Sequence, residues 1–397
     1  MIPHALISVE DALARVFDLV RLMPTETVPL AEACGRYMAQ PAFANRDQPP
    51  FAASAMDGYA VCGEALAGTT YRVIGEAGAG HRFSAAIGAG EAVRIFTGAP
   101  LPEGVDRVVI QEDVQRSGDT VTLQANLDVA RHVRPLGQDF RKGDSLAPRR
   151  LRPADLALLA AMNLPEVTAS HRPVVALIAT GDELVMPGEV PGPDQIVASN
   201  TFALKAMVEQ AGGIGRLLPI ARDNDAHLRQ VFALAEGADL IVTIGGASVG
   251  DHDLVGKVAQ ELGLERAFYK IAMRPGKPLM AGRLLGVPML GLPGNPVSSF
   301  VCAHLFLVPL LRAMQGEPAV PAPARRAILA TDTPATGPRT HYMRATLSDG
   351  PGLPRITPVD RQDSALISVL GGADALLIRP MGDGPQKTGT EVWYHPI

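Results

Sequence analysis

Four loop segments of this chain combine glycines with carboxylates, hydroxyls or cations, the groups that bind and transform small anions. The segments are TGDEL, GGASVGDHD, KIAMRPGKP and GLPGNPVSS (residues 180–184, 245–253, 270–278 and 291–299). Three of them directly follow apolar runs that are typical of buried strands. Because a doubly wound sheet binds ligands at the carboxyl ends of its strands, we expect the loops to line one cleft.

One group of residues in these loops is suited to an anion. Glycines allow backbone N–H groups to approach an anion closely, and a hydroxyl or a cation adds further donors. Asn295-Pro296 also predicts the first turn of a helix at the sheet edge. The predicted anion-binding residues are Gly245, Gly246, Ser248, Gly250, Arg274, Lys277, Asn295 and Pro296.

Carboxylates form the second group. They are hard oxygen ligands of the kind that Mg²⁺ takes together with phosphates, so they predict a magnesium site. An alternative stays open for Asp223, which precedes a predicted helix and could simply cap it. The candidate metal ligands are Asp182, Glu183, Asp223, Asp251 and Asp253.

Standard nucleotide and hydrolase motifs do not explain these loops. The chain has no GxxxxGK[ST] motif, and no GxGxxG motif opens a helix after a strand. A G-x-S-x-G nucleophile elbow should turn directly into a helix and be followed by the triad histidine, so GASVG is not interpreted as one, and a serine hydrolase is disfavoured. His304 lies in an apolar helical pattern and is interpreted as a core or interface residue.

The elements around the loops predict an α/β domain. Strands PVVALIAT, ADLIVTIGG and VPMLGLPG alternate with amphipathic helices, which predicts a parallel sheet covered on both faces. The predicted helices are Thr201–Gln210, Asp225–Ala235, Leu254–Leu262 and Pro296–Met314.

The remaining segments predict β-rich modules around that domain. Ser8, with Asp11 three residues later, predicts an N-terminal helix, and a second helix is expected near Pro153–Met162. Short strands separated by Gly, Pro and Asp predict a β-rich module before residue 136 and a β-barrel or sandwich after residue 317. The predicted domains are residues 1–50 with 136–170, 51–135, 171–317 and 318–397.

Composition restricts the class of protein. A chain of 397 residues with 47% hydrophobic and 19% charged residues predicts several globular domains. The net charge of −5 and the scarce aromatics argue against a nucleic-acid surface. Cys34, Cys62 and Cys302 form neither a disulfide framework nor a CxxC site, and each is interpreted as a small core residue in a reducing compartment. We expect no signal peptide and no membrane span, and therefore a cytoplasmic protein.

Seven motifs occur in one order along the chain. They are SAMDGYAV, RIFTGAP, GQDFRKGD, TGDEL, SVGDHD, MRPGKP and GLPGNPVS. This set resembles the molybdopterin molybdotransferases, that is, the MoeA proteins and the gephyrin E domain, over essentially the whole chain. The resemblance implies an extended N-terminal domain, an inserted β-rich domain, a molybdopterin-binding α/β domain and a C-terminal β-barrel, joined in a homodimer.

The resemblance also implies an activity. The substrates would be adenylyl-molybdopterin and molybdate, AMP would be released, and Mg²⁺ would assist as cofactor. An adenylyltransferase could be a partner. Two other activities remain alternatives: a molybdopterin carrier or scaffold without turnover, and the adenylyltransferase that makes the activated pterin.

Site residues follow from the resemblance by position. Catalytic roles are implied for Asp57, Thr97, Asp139, Glu183, Asp223 and Asp253, and metal ligation for Asp182, Glu183, Asp223 and Asp253. Substrate binding is implied for Thr180, Gly181, Gly245, Gly246, Ser248, Gly250, Arg274, Lys277, Pro278, Pro293, Asn295, Pro296, Arg344 and Ser364. Arg274 stands where some relatives carry Lys, so the oxyanion geometry is expected to differ.

Overall fold

The computed structural model describes residues 6–246, 254–350 and 352–397. The chain divides into two compact units. The first contains the described residues up to Glu26, together with Gly35–Ala39 and Ser170–Ile397. The second contains Thr27–Cys34 and Gln40–Ala169.

The described residues form eight α-helices, two short 3₁₀ helices and twenty-eight strands. The α-helices are α1 (Val9–Phe17), α2 (Pro153–Ala161), α3 (Asn200–Gln210), α4 (Asp225–Ala233), α5 (Leu254–Glu261), α6 (Pro296–Cys302), α7 (Val308–Met314) and α8 (Ile367–Gly371). The 3₁₀ helices are Leu30–Glu32 and Gln111–Asp113.

The strands are short before Ser170 and longer after it. The first fourteen are β1 (Thr25–Pro29), β2 (Tyr37–Met38), β3 (Ala42–Phe43), β4 (Ala53–Ser54), β5 (Gly58–Val61), β6 (Thr70–Ala77), β7 (Glu91–Ile95), β8 (Arg107–Ile110), β9 (Val114–Ser117), β10 (Thr120–Leu123), β11 (Val133–Arg134), β12 (Ser145–Leu146), β13 (Arg149–Arg150) and β14 (Glu166–Ser170). The others are β15 (Val174–Ala179), β16 (Leu184–Val185), β17 (Ile196–Val197), β18 (Ile214–Leu217), β19 (Leu240–Ile244), β20 (Leu264–Tyr269), β21 (Met273–Arg274), β22 (Met280–Leu284), β23 (Val287–Leu292), β24 (Arg325–Leu329), β25 (Thr340–Ser348), β26 (Arg355–Pro358), β27 (Ala375–Arg379) and β28 (Glu391–Pro396).

The predicted α/β domain is a three-layer structure. Its sheet has the order β18-β15-β19-β23-β22-β20, and the first four strands are parallel. Side chains alternate across the sheet: Val175 and Leu177 join a core with α3 and the α6–α7 helix, whereas Ala176 and Ile178 join a core with α4 and α5. Apolar residues of α1 belong to the first of these cores. Helices therefore cover both faces, as the alternation predicted.

The three predicted strands are parallel, and the sheet has in addition an antiparallel edge that the sequence did not indicate. Strand β22 runs antiparallel to both β23 and β20. β22 and β23 are joined by Leu285-Gly286, and both residues have positive φ (51° and 81°), as a two-residue hairpin turn requires. The turn contains a single glycine, and the apolar pattern of β22 does not indicate the direction of the strand. The hairpin was therefore not predictable from the sequence.

The C-terminal segment closes into a barrel. The order β25-β26-β24-β28-β27 is completed by pairing of β27 with β25, which gives five strands in a closed ring. The core contains Ala327, Leu329, Ile356, Leu377 and Tyr394. The predicted barrel is confirmed, and closure removes the free strand edges that an open sheet would expose.

The β-rich module is the main part of the second unit. Its largest sheet has the order β8-β5-β7-β6-β10-β9. One face is lined by Tyr59, Val61 and Val109, and the other by Ala60 and Val108. Helix α2 begins at Pro153, as predicted, and Asp155 receives the N–H of Arg152 at its start.

The longest helical segment, Pro296–Met314, belongs to the core. It comprises α6, a π-helical turn (Ala303–Leu307) and α7, which contains Pro309. The segment is long and apolar enough to cross a bilayer, but 78% of its apolar window is buried inside the protein. Such burial is typical of a core helix.

Two local predictions have different outcomes. Ser8 caps α1, because its Oγ accepts the N–H of Asp11 at 2.9 Å. The interpretation of all three cysteines as core residues is wrong for Cys34, which is exposed, while Cys302 is buried.

Candidate functional site

The carboxyl ends of three neighbouring parallel strands lie at one level. Ala179 of β15, Ile244 of β19 and Leu292 of β23 are aligned in register. The next residues continue the ladder: the N–H of Thr180 donates to Ile244 O, and that of Gly245 donates to Leu292 O, both at 3.0 Å. β18 and β19, which follow β15 along the chain in this sheet, pair with opposite sides of β15. This edge is therefore the topological switch point of the sheet.

A cleft of about 700 Å³ opens at this edge. Residues from all four predicted loops line it, so the expected convergence is confirmed for their described parts. Ser248, Gly250, Asp251 and Asp253 lie outside the described residues. The predicted site residues that line the cleft are Thr180, Gly181, Glu183, Asp223, Gly245, Gly246, Pro278, Pro293, Asn295 and Pro296.

The glycine pair after β19 is required by its surroundings. Gly245 and Gly246 have φ values of +95° and +63°, in the region that side chains disfavour. A Cβ on Gly245 would lie 2.8 Å from Thr180 O, and one on Gly246 would overlap the side chain of Val255. At these two positions the strand end therefore presents bare backbone to a ligand.

The acidic residues lie on two loops that are bonded to each other. The N–H of Asp223 donates to Asp182 Oδ1 at 3.1 Å. The Glu183 carboxylate lies directly over Gly181, where any Cβ would overlap it. Within the described residues, none of the three carboxylates has a cation as partner. In the part of the chain that the structure describes, no group of three acidic, histidine or cysteine side chains is placed to hold a metal ion by itself, so a Mg²⁺ ion here would depend on phosphate and water for its remaining ligands.

The capping alternative for Asp223 is excluded. Helix α4 begins at Asp225, and its cap is Asn224, whose Oδ1 accepts the N–H of His227 at 2.9 Å. Asp223 precedes the cap, is exposed and borders the cleft. Its carboxylate is therefore available for a ligand.

Arg274 and Lys277 lie on the loop that brings Pro278 to the cleft. Gly276, with φ +103°, fixes this loop against α6, because a Cβ there would be 2.5 Å from Cys302 Sγ. Both cationic side chains are exposed and have no hydrogen-bond or ion-pair partner in the part of the chain that the structure describes. They are free to bind an anion.

The electrostatic environment beside this loop is strongly positive. His341 of β25 is the register partner of Arg274 of β21. Burial, followed by the charges of Arg274, Arg339, Arg379 and Arg344, lowers the pKa of His341 to about 4. The imidazole is therefore neutral at neutral pH, and the guanidinium groups around it provide a field that favours an oxyanion.

The barrel contributes to the cleft through the loop that precedes α8. Ser364 receives two bonds from the start of α6: Asn295 Nδ2 donates to its Oγ and the N–H of Val297 donates to its carbonyl, both at 3.1 Å. Arg344, only 1% exposed, holds this loop by donating to the carbonyls of Leu366 (3.2 Å) and Arg361 (3.1 Å). The Arg344 guanidinium thus supports Ser364 from behind.

Several residues of the cleft have no signal in the sequence. Asn200, at the start of α3, donates to Gly294 O at 2.7 Å and fixes the loop after β23. Ile196 and Ile367 line the cleft although they are 59% and 46% exposed. Arg222 does not line the cleft, but its guanidinium donates to Leu184 O in the TGDEL loop at 3.0 Å, and it also has no signal in the sequence. Their roles depend on contacts between segments remote in sequence.

Asp57, Thr97 and Asp139 belong to the second unit. Asp57 Oδ1 accepts both the N–H and the hydroxyl of Thr97 at 2.7 Å. These bonds, and to a smaller extent the charge of Arg94, lower the pKa of Asp57. Asp139 borders a separate depression together with Arg134. Asp57 and Thr97 thus form one hydrogen-bonded pair.

Comparisons with known proteins agree over the whole chain. Residues 7–163 match the model of the MoeA N-terminal region (domains I and II), 176–313 that of a probable molybdopterin-binding domain, and 326–397 that of the MoeA C-terminal region (domain IV). The chain is 37% identical to a molybdopterin molybdenumtransferase of Nostoc sp. over 325 residues, which cover 78% of this chain and 74% of that protein.

Two further relatives cover nearly the full length. A molybdopterin molybdenumtransferase of Bacillus subtilis is 31% identical over 399 residues, with 97% of this chain and 93% of that protein covered. The crystal structure of a MoeA protein of molybdopterin biosynthesis from Pyrococcus horikoshii superposes with a TM-score of 0.79 at 30% identity and covers 99% of both chains. The agreement includes the order of the domains.

Proposed function

Because the chain belongs to the MoeA family of molybdopterin molybdenumtransferases, we propose that it inserts molybdate into adenylyl-molybdopterin and releases AMP and Mo-molybdopterin. One observation supports this proposal most directly. The cleft at the switch point has unpaired carboxylates on the loops after β15 and β18, and the loop of free cations reaches the same cleft at Pro278. A phosphoanhydride and an oxyanion need these two environments side by side.

The acidic side is assigned to the phosphates. Asp182, Glu183 and Asp223 would hold Mg²⁺, with Asp253 as a further ligand. When bound, Mg²⁺ would neutralise charge on the anhydride that joins the pterin phosphate to AMP. Gly245 and Gly246 present bare backbone to the same group. The protein's own contribution on this side is to fix the carboxylates and to exclude alternative positions of the phosphates.

The cationic side is assigned to molybdate. Molybdate is a tetrahedral dianion, and Arg274 and Lys277 offer donors and charge without prior partners. Ser364 is held at the cleft by Asn295, and Arg344 holds the loop that carries it. The dithiolene sulfurs of the pterin would become the ligands of molybdenum, so no cysteine of the chain is needed.

Two assays distinguish this activity from the alternatives. Purified protein incubated with adenylyl-molybdopterin, molybdate and Mg²⁺ is expected to release AMP and form Mo-molybdopterin. A carrier or scaffold would bind the nucleotide without releasing AMP. An adenylyltransferase would instead consume ATP when given unactivated molybdopterin.

Replacing Lys277 with Ala is expected to raise the molybdate concentration for half-maximal turnover by about 10- to 100-fold. A charge-assisted contact is worth roughly 1.5–3 kcal/mol, and Lys277 has no partner among the described residues that the substitution would also remove. AMP release is measured against molybdate concentration. Lys257→Ala, at an exposed lysine of α5, is the matched control. If Lys277→Ala slows turnover at saturating molybdate and leaves half-saturation unchanged, Lys277 does not bind molybdate.

The protein is proposed to be a cytoplasmic homodimer in which the Asp57–Thr97 pair of one subunit acts in the cleft of the other. An adenylyltransferase is proposed as the partner that delivers the substrate. Light scattering at micromolar concentration is expected to give twice the chain mass of 41.8 kDa. Inactive Asp57→Asn and Glu183→Gln chains, mixed and allowed to exchange, are expected to regain about a quarter of wild-type activity, because half of the dimers would have one intact site. No recovery, or a monomer, would exclude action in trans.

A further inference from the structure

Arg222 is bonded to the main chain of the acidic loop. Its Nη1 donates to the carbonyls of Gly181 (3.4 Å), Asp182 (3.1 Å) and Leu184 (3.0 Å). The side chain is half-buried, and its own N–H donates to Nδ1 of His227 at 2.9 Å. Arg222 therefore connects the loop after β15 to the first turn of α4.

The two loops meet only over a short length. Gly181 donates to Ala221 O at 3.0 Å, and Asp223 donates to the carboxylate of Asp182 at 3.1 Å. On its other side the segment is held by β17, since the N–H of Ile196 donates to Glu183 O at 2.8 Å and β16 pairs with β17. Toward the second loop, the further bonds are those that Arg222 donates. Without it, the segment Asp182–Leu184 would keep one bond to the second loop, and that bond depends on the Asp182 side chain itself.

Electrostatics oppose this arrangement. Asp182, Glu183 and Asp223 are three like charges on two adjoining loops, and no cation is paired with them in the described chain. Like charges on adjoining loops repel one another, and solvent and salt screen this repulsion because all three side chains are exposed. The guanidinium of Arg222 adds one positive charge to these loops and donates its bonds to carbonyl groups. Among the described residues, the one bond to these carboxylates is that from Asp223 N–H to Asp182 Oδ1.

We propose that Arg222 is a positioning residue that holds the acidic loops ready for a divalent cation and the substrate phosphates. The proposal rests on the function proposed above for the same cleft. Its consequence is specific: loss of the guanidinium weakens cation binding and leaves molybdate binding unchanged, because Arg274 and Lys277 belong to a different loop. A lysine supplies charge but not the planar fork, so it restores only part of the effect.

The experiment compares Arg222→Gln and Arg222→Lys with the wild type, and Arg229→Gln is the matched control. Arg229 lies on α4, seven residues after Arg222, where it pairs with Asp225 (2.7 Å) and Glu261. Binding of Mn²⁺ to the ligand-free protein is measured by the electron paramagnetic resonance of the free ion. AMP release is then measured against Mg²⁺ and, separately, against molybdate.

Arg222→Gln is expected to weaken Mn²⁺ binding and to raise the Mg²⁺ requirement by about 10-fold, the usual effect of removing a residue that orients metal ligands. The lysine variant is expected to be intermediate, and Arg229→Gln and all molybdate half-saturations are expected to stay at wild-type values. Unchanged Mn²⁺ binding in both Arg222 variants, or equal weakening in Arg229→Gln, would overturn the proposal. A wild type that binds Mn²⁺ but releases no AMP would refute the proposed function alone.

Discussion

Replacement of Glu183 by Gln is expected to slow AMP release by about a hundred- to a thousand-fold, the usual effect of removing one positioned electrostatic group. Gln keeps the shape of the side chain over Gly181 and removes its charge, so folding and nucleotide binding should persist. Single-turnover AMP release at saturating molybdate and Mg²⁺ measures the effect. Glu189→Gln is the control, because Glu189 lies in the following loop and accepts only the N–H of Met186 at 2.9 Å.

Asp253 lies outside the described residues. Asp253→Asn is expected to slow AMP release, as Glu183→Gln does, and to leave unchanged the molybdate dependence that Lys277→Ala alters. Carboxylate variants should change the rate, and the lysine variant should change the molybdate dependence. If a carboxylate variant shifts only the molybdate dependence while Lys277→Ala only slows turnover, the two sides of the cleft are assigned in reverse.

Acidification from pH 6.5 to pH 4 is expected to remove about 3 kcal/mol of folding free energy through His304 alone, at roughly 1.4 kcal/mol per pKa unit. Burial, followed by the charges of His395 and Arg312, lowers the pKa of His304 from 6.5 to about 4. The unfolded chain therefore binds the proton first. The stabilisation is complete above pH 6.5, falls as the pH falls, and is exhausted below about pH 4.

The measurement uses denaturant unfolding followed by the fluorescence of Trp393, the chain's one tryptophan, which lies on β28 two residues from His395. His304→Leu is expected to flatten the dependence on pH, because Nε2 of His304 has no hydrogen-bond partner in the described structure and leucine loses none. Identical slopes for wild type and variant between pH 6.5 and pH 4 would show that His304 does not titrate on unfolding. Part of the slope should persist in the variant, since His341 has a similarly lowered pKa.

Periodicity predicted the helices of the α/β domain closely. The structure has α3 at Asn200–Gln210 where Thr201–Gln210 was predicted, and α5 at Leu254–Glu261 where Leu254–Leu262 was predicted. These helices have apolar residues at helical spacing on the side that meets the sheet, so the pattern records their burial. The three strands that carry the loops were predictable for the same reason, because they are buried except at the first residue of β15 and of β23.

The orientation of β22 and the role of Arg222 could not be predicted in this way. Burial of β22 is compatible with either direction of the strand, and the deciding turn is only two residues long. Arg222 acts through the carbonyls of Gly181, Asp182 and Leu184, and main-chain acceptors have no sequence signature. Composition can identify which side chains are suited to a ligand, but the residues that hold them in place are defined by three-dimensional contacts.

The short strand β21 has a consequence for motion. It pairs with β25 of the barrel, and the N–H of Thr340 donates to Ala272 O at 3.0 Å, so main-chain bonds join the barrel to the α/β domain. Hinge closure requires a connection that can swing without breaking such bonds. Rotation of the barrel would break this ladder and also the bond from Val297 to Ser364. Opening the cleft by swinging its barrel wall away from the sheet would therefore require these main-chain bonds to break first.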